Sequence, residues 1–526
     1  MRRILTFGAL ILSGALTALS FPVTALWPLI LVGLVPLLLF LERESPVVPA
    51  LAGLLWGLGY FGCLLSWLYS FFRRYGELNP ALSLTILAIL VAYLALYPAL
   101  FASMAARWQK RYPAGSLVLL PCWWVSLEWI RGHFLSGFPW GASGYALTEF
   151  LPAIQIASIT GIYGVSFLAI LANVLFAGWA RRLARAQRIL LRGDLLAVVL
   201  MGAVLGFGWW QLRSGPNGEA ETPVAVVQAN VPQDQKWNAS WARSIVEKHE
   251  RLTEQAAAAG AELVLWPESS SPFPIAVPVS SAGGEVRPNT EYRERLEFLA
   301  QRLGISLLFG TVDYRKAHGQ IRPVNAAALI HSDGIWGETY AKMHLVPFGE
   351  YVPLSGVLGF VNRMVRGAIG DFASGEKPVV VSVGSLRVGT AICYEMIFPE
   401  LVRRFAESGA SVLVNLTNDA WFGTSAGPYQ HFQMVRMRAV ENRRTVLRAA
   451  NTGISAIVDP EGRVVARTKL MEERILEGKI APRRTKTFYT RHGDIFAILC
   501  AILAAAALAA HFTGSRASRE GLAKHE

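Results

Sequence analysis

Long apolar runs separated by short charged loops fill the first 215 residues, and one more apolar run lies near the end of the chain. A helix that crosses a bilayer needs about 20 predominantly apolar residues. On that measure Ile4–Ser20, Leu26–Leu41, Val47–Phe71, Ala81–Ala106, Leu117–Ile130, Ile159–Ala180 and Ile189–Leu212 predict seven spans, and Ile495–Phe512 predicts an eighth. The second and fifth are the shortest. From Glu219 to about Arg484 the pattern changes. Short apolar runs alternate with charged helical stretches: Val224–Gln228 then Ser244–Ala259; Leu263–Trp266 then Tyr292–Leu303; Ile305–Phe309, Ala326–Ile330 and Val379–Val383; Leu386–Ile392 then Leu401–Glu407; Val412–Asn415 then Gln430–Arg443; and Val446–Ala449 with Ile454–Val458. Alternation of this kind predicts an α/β domain. The expected organisation is a seven-helix transmembrane domain at 1–215, an α/β domain at 219–484, a last transmembrane helix at 493–513 and a tail at 514–526.

Composition agrees with a chain largely in lipid, since 53% of the 526 residues are hydrophobic and 17% charged. A formal charge of +13 raises the possibility of a nucleic-acid partner. The basic residues, however, gather between the apolar runs instead of forming one basic domain, as membrane topology requires. With the N-terminus in the cytoplasm, the inner segments hold Arg2 and Arg3; Arg43; Arg107, Lys110 and Arg111; Arg181, Arg182, Arg185, Arg188 and Arg192; and Arg516, Arg519 and Lys524. The opposite loops hold only Arg73, Arg74 and Arg131. Seven spans, an outer domain and a return span fit this asymmetry. A retained first span fits it better than a cleaved signal peptide, although Met-Arg-Arg before an apolar core also has that form. Glu128, among Trp123, Trp124 and Trp129, reads either as an interfacial anchor or as a functional intramembrane carboxylate.

The chemistry centres on Gly389-Thr390-Ala391-Ile392-Cys393-Tyr394-Glu395. Here an apolar run delivers a cysteine to the end of a predicted strand, the place where α/β proteins build sites. Alone, such a cysteine is ordinarily a small buried hydrophobe. Two upstream stretches change its meaning: Leu263-Val264-Leu265-Trp266-Pro267-Glu268 ends in a carboxylate, and the stretch from Tyr340 to Glu350 sets Lys342 and Glu350 around a Pro-Phe-Gly turn. In the order Glu, Lys, Cys these resemble the nitrilase superfamily, and the resemblance implies a four-layer αββα sandwich carrying a Glu268-Lys342-Cys393 triad. A thiol with a pKa near 8.5 is only slightly ionised at neutral pH and needs a base or a cation beside it. Glu268 suits the base, while the Lys342 ammonium and the Tyr394 backbone N–H suit an oxyanion. The resemblance gives Glu350 and Glu395 supporting roles, and a plain salt-bridged carboxylate is the competing reading for both.

Of the four cysteines, Cys63, Cys122 and Cys500 lie in or beside apolar runs, which leaves Cys393 alone in the α/β domain with no partner for an internal disulfide there. No Cys/His spacing suggests zinc. His344 and His431 read as packing or loop residues. Two features point towards lipid. The segment from Val352 to Ile369, containing Phe360 and Met364, reads as a mobile apolar lid or as a buried helix hairpin. Trp237 and Trp421 lie near predicted strand ends, where they either grip a lipid or sit at the interface.

Taken over its full length, the chain resembles the apolipoprotein N-acyltransferases of bacterial inner membranes. That resemblance implies a catalytic domain on the periplasmic side of a multi-pass protein expected to act as a monomer, with no metal or organic cofactor and no nucleic-acid partner. The implied donor is a phospholipid, through the sn-1 acyl of phosphatidylethanolamine, and the implied acceptor is the α-amine of a diacylated apolipoprotein. A ping-pong reaction through a Cys393 thioester follows. Exposing a chain of roughly sixteen carbons to water costs on the order of 12 kcal/mol, so such a site must open at a lipid surface. The competing functions are a membrane-tethered hydrolase with water as acceptor, and a transporter or scaffold whose outer domain only binds.

Overall fold

The computed structural model describes residues 2–42, 48–74, 76–213, 220–236, 238–275, 279–281, 284–286, 288–317, 320–351 and 371–523. The chain divides into two compact units: residues 1–66, 84–213 and 492–526 form one, and residues 67–83 and 214–491 the other.

The first unit is helical. Its principal helices are α1 (Arg2–Ala18), α2 (Val35–Leu41) and α3 (Val48–Leu64); α4 (Trp67–Arg74) is grouped with the other unit; then follow α5 (Pro80–Arg111), α6 (Ser116–His133), α7 (Ile162–Ala184) and α8 (Arg192–Arg213). Three of these, α5, α7 and α8, are long and apolar enough to cross a membrane, and a fourth joins them if α3 and α4 count as one broken span. Other predicted runs form shorter apolar helices among the described residues, at Leu5–Ala18, Trp27–Leu41 and Ile495–His511.

The departures have local causes. Pro28, Gly33 and Pro36 break the run Leu26–Leu41 into a 3₁₀ turn, Trp27–Leu31, and the short α2. Backbone groups freed by such a break must find partners inside the protein. Asn173 of α7 supplies two, accepting from the Leu34 N–H at 2.8 Å and donating to the Ile30 carbonyl at 2.7 Å, while Ser13 and Trp56 both donate to the Gly33 carbonyl. Buried turns at Ser143–Glu149, Leu151–Ile154 and Ala157–Thr160, which hydropathy did not separate, fill the space before α7. Glu128 is buried and not at a boundary with solvent: its Oε1 accepts from Trp124 Nε1 and from the Ser143 N–H and hydroxyl at 2.7–2.8 Å, and so ties α6 to the first of these turns.

The second unit contains two six-stranded sheets. Its strands are β1 (Thr222–Gln228), β2 (Leu263–Leu265), β3 (Ser306–Ala317), β4 (Gln320–Ile330), β5 (Tyr340–Ala341), β6 (Val380–Val383), β7 (Leu386–Ile392), β8 (Val412–Thr417), β9 (Thr445–Ala450), β10 (Ala456–Val458), β11 (Val464–Arg467) and β12 (Arg474–Ile480). The first sheet runs β12-β1-β2-β3-β4-β5 and the second β11-β10-β9-β8-β7-β6. Parallel pairing is confined to the centre of each, β1-β2-β3 and β7-β8-β9.

Side-chain alternation along the strands builds the layers. Val224, Val226, Leu263, Leu265 and Leu308 of the first sheet pack in one core with Val388, Ile392, Val412, Val414 and Leu416 of the second. The opposite-facing Ala225, Val227, Val264, Leu307 and Phe309 pack against Ile245, Val246 and Leu252 of α9 (Ala242–Ala258) and Leu296 and Leu299 of α10 (Thr290–Leu303). Beyond the second sheet lie α11 (Pro399–Glu407) and α12 (Gly427–Asn442), which contribute Val402, Phe405, Val435 and Ala439. The result is the αββα sandwich the resemblance implied. The last helix of the chain, α13 (Ile495–Ala523), returns to the first unit.

Candidate active site

Glu268 stands just past β2, in the middle of the first sheet. After β2 the chain keeps following β3: the Trp266 N–H bonds the Leu308 carbonyl at 3.0 Å, the Gly310 N–H the Pro267 carbonyl at 3.1 Å, and the Ser271 N–H the Gly310 carbonyl at 3.1 Å. Gly310 makes this approach possible, because a Cβ there would lie 2.5 Å from Glu268 Cα and 2.6 Å from the Ser269 nitrogen. The buried Glu268 carboxylate accepts from Asn325 Nδ2 at 2.7 Å through Oε1 and from the Asn418 N–H at 2.8 Å through Oε2. Asn325 belongs to β4 and Asn418 follows β8, so the carboxylate is held from both sheets.

Lys342 follows the edge strand β5, its N–H bonded to the Asn325 carbonyl at 2.8 Å. Its side chain, 1% exposed, places Nζ 2.8 Å from Glu350 Oε1 and 3.8 Å from Glu268 Oε1. Glu350 Oε1 also accepts from Asn325 Nδ2 at 2.9 Å, and Glu350 Oε2 from the Val346 N–H at 2.8 Å. Burial works against the ammonium, but Glu350, Glu268 and Cys393 more than offset it and hold Lys342 above the ordinary lysine pKa. Lys342 is therefore held in its charged form.

Cys393 closes β7 at φ +50°, a left-handed conformation that costs a β-substituted residue roughly 1–3 kcal/mol. The turn Cys393–Ile397 follows at once. Its anchor is the fully buried Glu395, whose Oε2 accepts from the Ile392 N–H at 2.7 Å and whose Oε1 accepts from the Met343 N–H at 2.7 Å, the His344 N–H at 3.1 Å and the Tyr340 hydroxyl at 2.7 Å. One carboxylate thus fixes the Cys393 turn to the residues on either side of Lys342. Burial first, and then the Glu268 charge, push the Cys393 thiol up to about 12, against the opposing pull of Lys342. Burial thus keeps the sulfur a thiol beside a carboxylate at neutral pH.

A Carbon-nitrogen hydrolase family model matches residues 223–489, and an Apolipoprotein N-acyltransferase N-terminal domain model matches residues 13–175. The chain is 39% identical to the Apolipoprotein N-acyltransferase of Geobacter metallireducens, over 95% of its own length and 94% of the relative's. The corresponding protein of Methylococcus capsulatus is 37% identical, over 87% of each chain, and that of Nitrosomonas europaea 33%, over 96% and 97%. The chain belongs to the apolipoprotein N-acyltransferase family.

Within this acyltransferase the three sequence-identified residues Glu268, Lys342 and Cys393 form one electrostatic group, with Glu350 and Glu395 tied to it by the bonds above. Trp237, Phe360 and Met364, and the segment proposed as a lid, lie outside the described residues. Trp421 is half-buried on the short turn Asp419–Phe422. His344 packs its ring on Phe398, with centroids 3.8 Å apart. His431 is no loop residue: it lies buried on α12 with Nε2 3.2 Å from the Cys393 carbonyl. Among the described residues no group of three or more His, Cys, Asp or Glu could hold a metal.

Several participants escaped the sequence reading. Asn325 bonds Glu268 and Glu350 together from within β4. Lys236, buried, donates to the Glu268 backbone carbonyl at 2.7 Å, and burial lowers its pKa to about 8 despite Glu268 and Cys393 nearby. Asp419 and Arg448 pair behind His431. The available signal was polar residues at apolar strand ends: Asn418-Asp419 directly follows Val412–Thr417, and Arg448 interrupts an apolar strand.

Proposed function

We propose that the chain transfers an acyl group from a membrane phospholipid to the N-terminal α-amine of an apolipoprotein, through a thioester on Cys393, with Glu268 as base and Lys342 and the Tyr394 N–H as the oxyanion's partners. The observation that carries this reading is the joint placement of a buried cysteine at a strained strand end, a carboxylate held for proton transfer, and an ammonium locked in its charged form.

In the first half, the Cys393 proton passes to Glu268 as the sulfur bonds to the ester carbonyl carbon of the donor. The carbonyl oxygen becomes an oxyanion beside Lys342. When the carbon–oxygen bond to the glycerol breaks, Glu268 returns its proton to the leaving alkoxide, which yields a lysophospholipid and the thioester. In the second half, the acceptor's neutral α-amine attacks the thioester, Glu268 takes an amine proton, and the departing sulfur recovers it as the amide forms. Each half uses the same carboxylate in both directions, so donor and acceptor take turns and ping-pong kinetics follow.

The membrane setting is supported by α5, α7 and α8 and by the exposed apolar residues Leu195, Leu196, Val199, Trp209 and Trp210 of α8. With the distribution of Arg and Lys along the sequence, it supports a multi-pass inner-membrane protein whose domain at 219–484 faces the periplasm. Donor phosphatidylethanolamine and the sn-1 position are expectations of the same reading. Incubating purified enzyme with phosphatidylethanolamine alone tests it: intact mass should rise by one acyl chain on Cys393 and fall back when a diacylated lipopeptide is added. No mass change, or the same release of free fatty acid with and without lipopeptide, would reject transfer.

A further inference from the structure

Behind Cys393 lies a closed polar cluster that the reaction above does not use. Asp419, His431 and Arg448 are all almost fully buried. Arg448 Nη2 lies 2.5 Å from Asp419 Oδ2 and 3.2 Å from His431 Nδ1, while Arg448 Nη1 bonds Asn415 Oδ1 and Nε donates to the Ile454 carbonyl at 3.0 Å. His431 Nδ1 also lies 3.2 Å from Asp419 Oδ1, and its Nε2 lies 3.2 Å from the Cys393 carbonyl oxygen.

A carbonyl oxygen only accepts, so Nε2 must carry the proton in this contact. Nδ1 lies 3.2 Å from both a guanidinium that only donates and the Asp419 carboxylate that only accepts; the neutral Nε2–H tautomer answers the first, and a charged imidazole would answer the second with the Nε2 proton unchanged. Burial, then the Arg448 charge, lower the His431 pKa and favour that neutral form, with Asp419 opposing. The histidine is thus set as a one-directional donor to the nucleophile's own carbonyl.

The peptide that receives this bond is the one joining Cys393 to Tyr394. Its C=O and N–H share a rigid plane and point in opposite directions, so fixing the oxygen fixes the hydrogen. Tyr394 is the second residue of its turn, where a helical N–H has no acceptor within the turn. We propose that His431, set by Arg448 and Asp419, is a positioning residue that aims and polarises the Tyr394 N–H at the oxyanion formed during acyl transfer. A hydrogen bond to the carbonyl strengthens the N–H at the other end of the same amide. The proposal rests on the Tyr394 N–H acting as oxyanion donor in the reaction proposed above.

The test separates proton removal from oxyanion support. Alkylation of Cys393 by iodoacetamide needs the sulfur and its base but no oxyanion, whereas acylation by phosphatidylethanolamine in detergent micelles needs all three. Losing an oxyanion donor outright slows catalysis about 10²–10³-fold, and loss of its aim should cost less. His431→Leu should therefore slow acylation roughly tenfold to hundredfold in kcat, with KM for the phospholipid and the alkylation rate close to wild type. His431→Gln, whose amide nitrogen reaches near the Nε2 position, should recover most of the acylation rate. Normal acylation in His431→Leu overturns the proposal. So does a parallel fall in alkylation, which would mean that the sulfur itself had moved, and so does a His431→Gln variant as slow as His431→Leu. Failure of the wild-type enzyme to acquire an acyl group would instead reject the underlying reaction.

Discussion

The two sheets each bring a buried ionic cluster to Cys393, and the clusters differ in how their charges close. On the side of the first sheet Glu268 and Glu350 share Lys342, and the buried Lys236 donates to the Glu268 backbone carbonyl. On the side of the second sheet Asp419 meets Arg448, and the neutral His431 completes the group. The second cluster has matched charges and satisfies itself; Arg448 and the neighbouring His431 hold Asp419 down at about 2 despite its burial. The first is not closed in this way: the Glu268 carboxylate shares Lys342 with Glu350 and lies beside the Cys393 thiol. A buried pair closed on itself makes a scaffold, and a carboxylate left beside a thiol makes a reagent. Damage to the first cluster should therefore appear in rate, and loss of the Asp419–Arg448 pair chiefly in stability, with His431 apart because it reaches the Cys393 carbonyl.

The largest effect belongs to the first cluster. Glu268→Gln keeps an oxygen for Asn325 or the Asn418 N–H but cannot take a proton, so acylation should fall about 10²–10⁴-fold, the usual worth of a general base. Cys393→Ala should abolish acyl capture altogether. Intact-mass kinetics with phosphatidylethanolamine measure both, and equal unfolding midpoints for wild type and Glu268→Gln would place the loss in chemistry alone. A Glu268→Gln enzyme that acylates normally would break the assignment of the first cluster as the reactive one.

Next comes the matched side. Arg448→Ala leaves Asp419 buried without its cation, and removing one partner of such a pair costs about 3–5 kcal/mol. Thermal or denaturant unfolding in detergent should show that loss. Replacing Asp419 as well should recover part of it, because the stranded charge is then gone. If the double variant were the less stable of the two, the charge-matching account of this cluster would fail.

Glu395 belongs to neither cluster and bridges the two sides, and its expected signature is a pH slope. Burial raises its pKa to about 7 from an unfolded 4.5, against the pull of the Ile392 N–H and the Tyr340 hydroxyl. The folded state therefore binds the proton more tightly than the unfolded chain, and this stabilisation is complete below pH 4.5 and lost as pH rises through 7. At 1.36 kcal/mol per unit the full swing is about 3 kcal/mol. His344 acts in the opposite sense: burial and Lys342 lower its pKa to about 4, so its contribution is present above 6.5 and lost as pH falls through 4. Comparing wild type with Glu395→Gln isolates the Glu395 slope, and identical pH profiles for the two proteins would refute it.

How much of this was legible in the sequence follows from what each element had to bury. Mostly buried strands such as β7 and β8 read as largely apolar runs, and the residues after each run became candidates for the site. The outer half of the β3-β4 hairpin did not read at all. Its Thr-Val-Asp-Tyr-Arg-Lys and Gln-Ile-Arg-Pro stretches are polar because only part of each strand is covered. The edge strands β11 and β12 were missed for the same reason, being largely exposed along one side. In the helical unit, hydropathy located apolar runs but not their breaks, since Asn173, Ser13 and Trp56 repair the run at Pro28 and Gly33 from far away in sequence. Glu268 and Cys393 stood out because each follows an apolar run, and Lys342 because it precedes a Pro-Phe-Gly turn. Asn325 and His431 were invisible because their meaning depends on what lies across from them.

Gly310 gives the smallest and sharpest way to probe the reactive side, because a single methyl there touches no charged group. Nothing in its own strand demands glycine: it pairs with Ala327 across β3 and β4 in regular register. The demand comes from Glu268, whose Cα would sit 2.5 Å from an added Cβ, with backbone and not a flexible side chain on the other side of the clash. Something must yield, and the segment from Pro267 to Ser269 is the part without a strand partner on its far side. A shift of about 1 Å in a catalytic group can cost on the order of 10²-fold, so Gly310→Ala should slow acylation roughly tenfold to hundredfold. Iodoacetamide alkylation should slow with it, since the displaced group is the base itself. That parallel loss distinguishes it from His431→Leu, where the two rates should separate. If Gly310→Ala slowed acylation while leaving alkylation untouched, Glu268 would not be the group that takes the proton from sulfur.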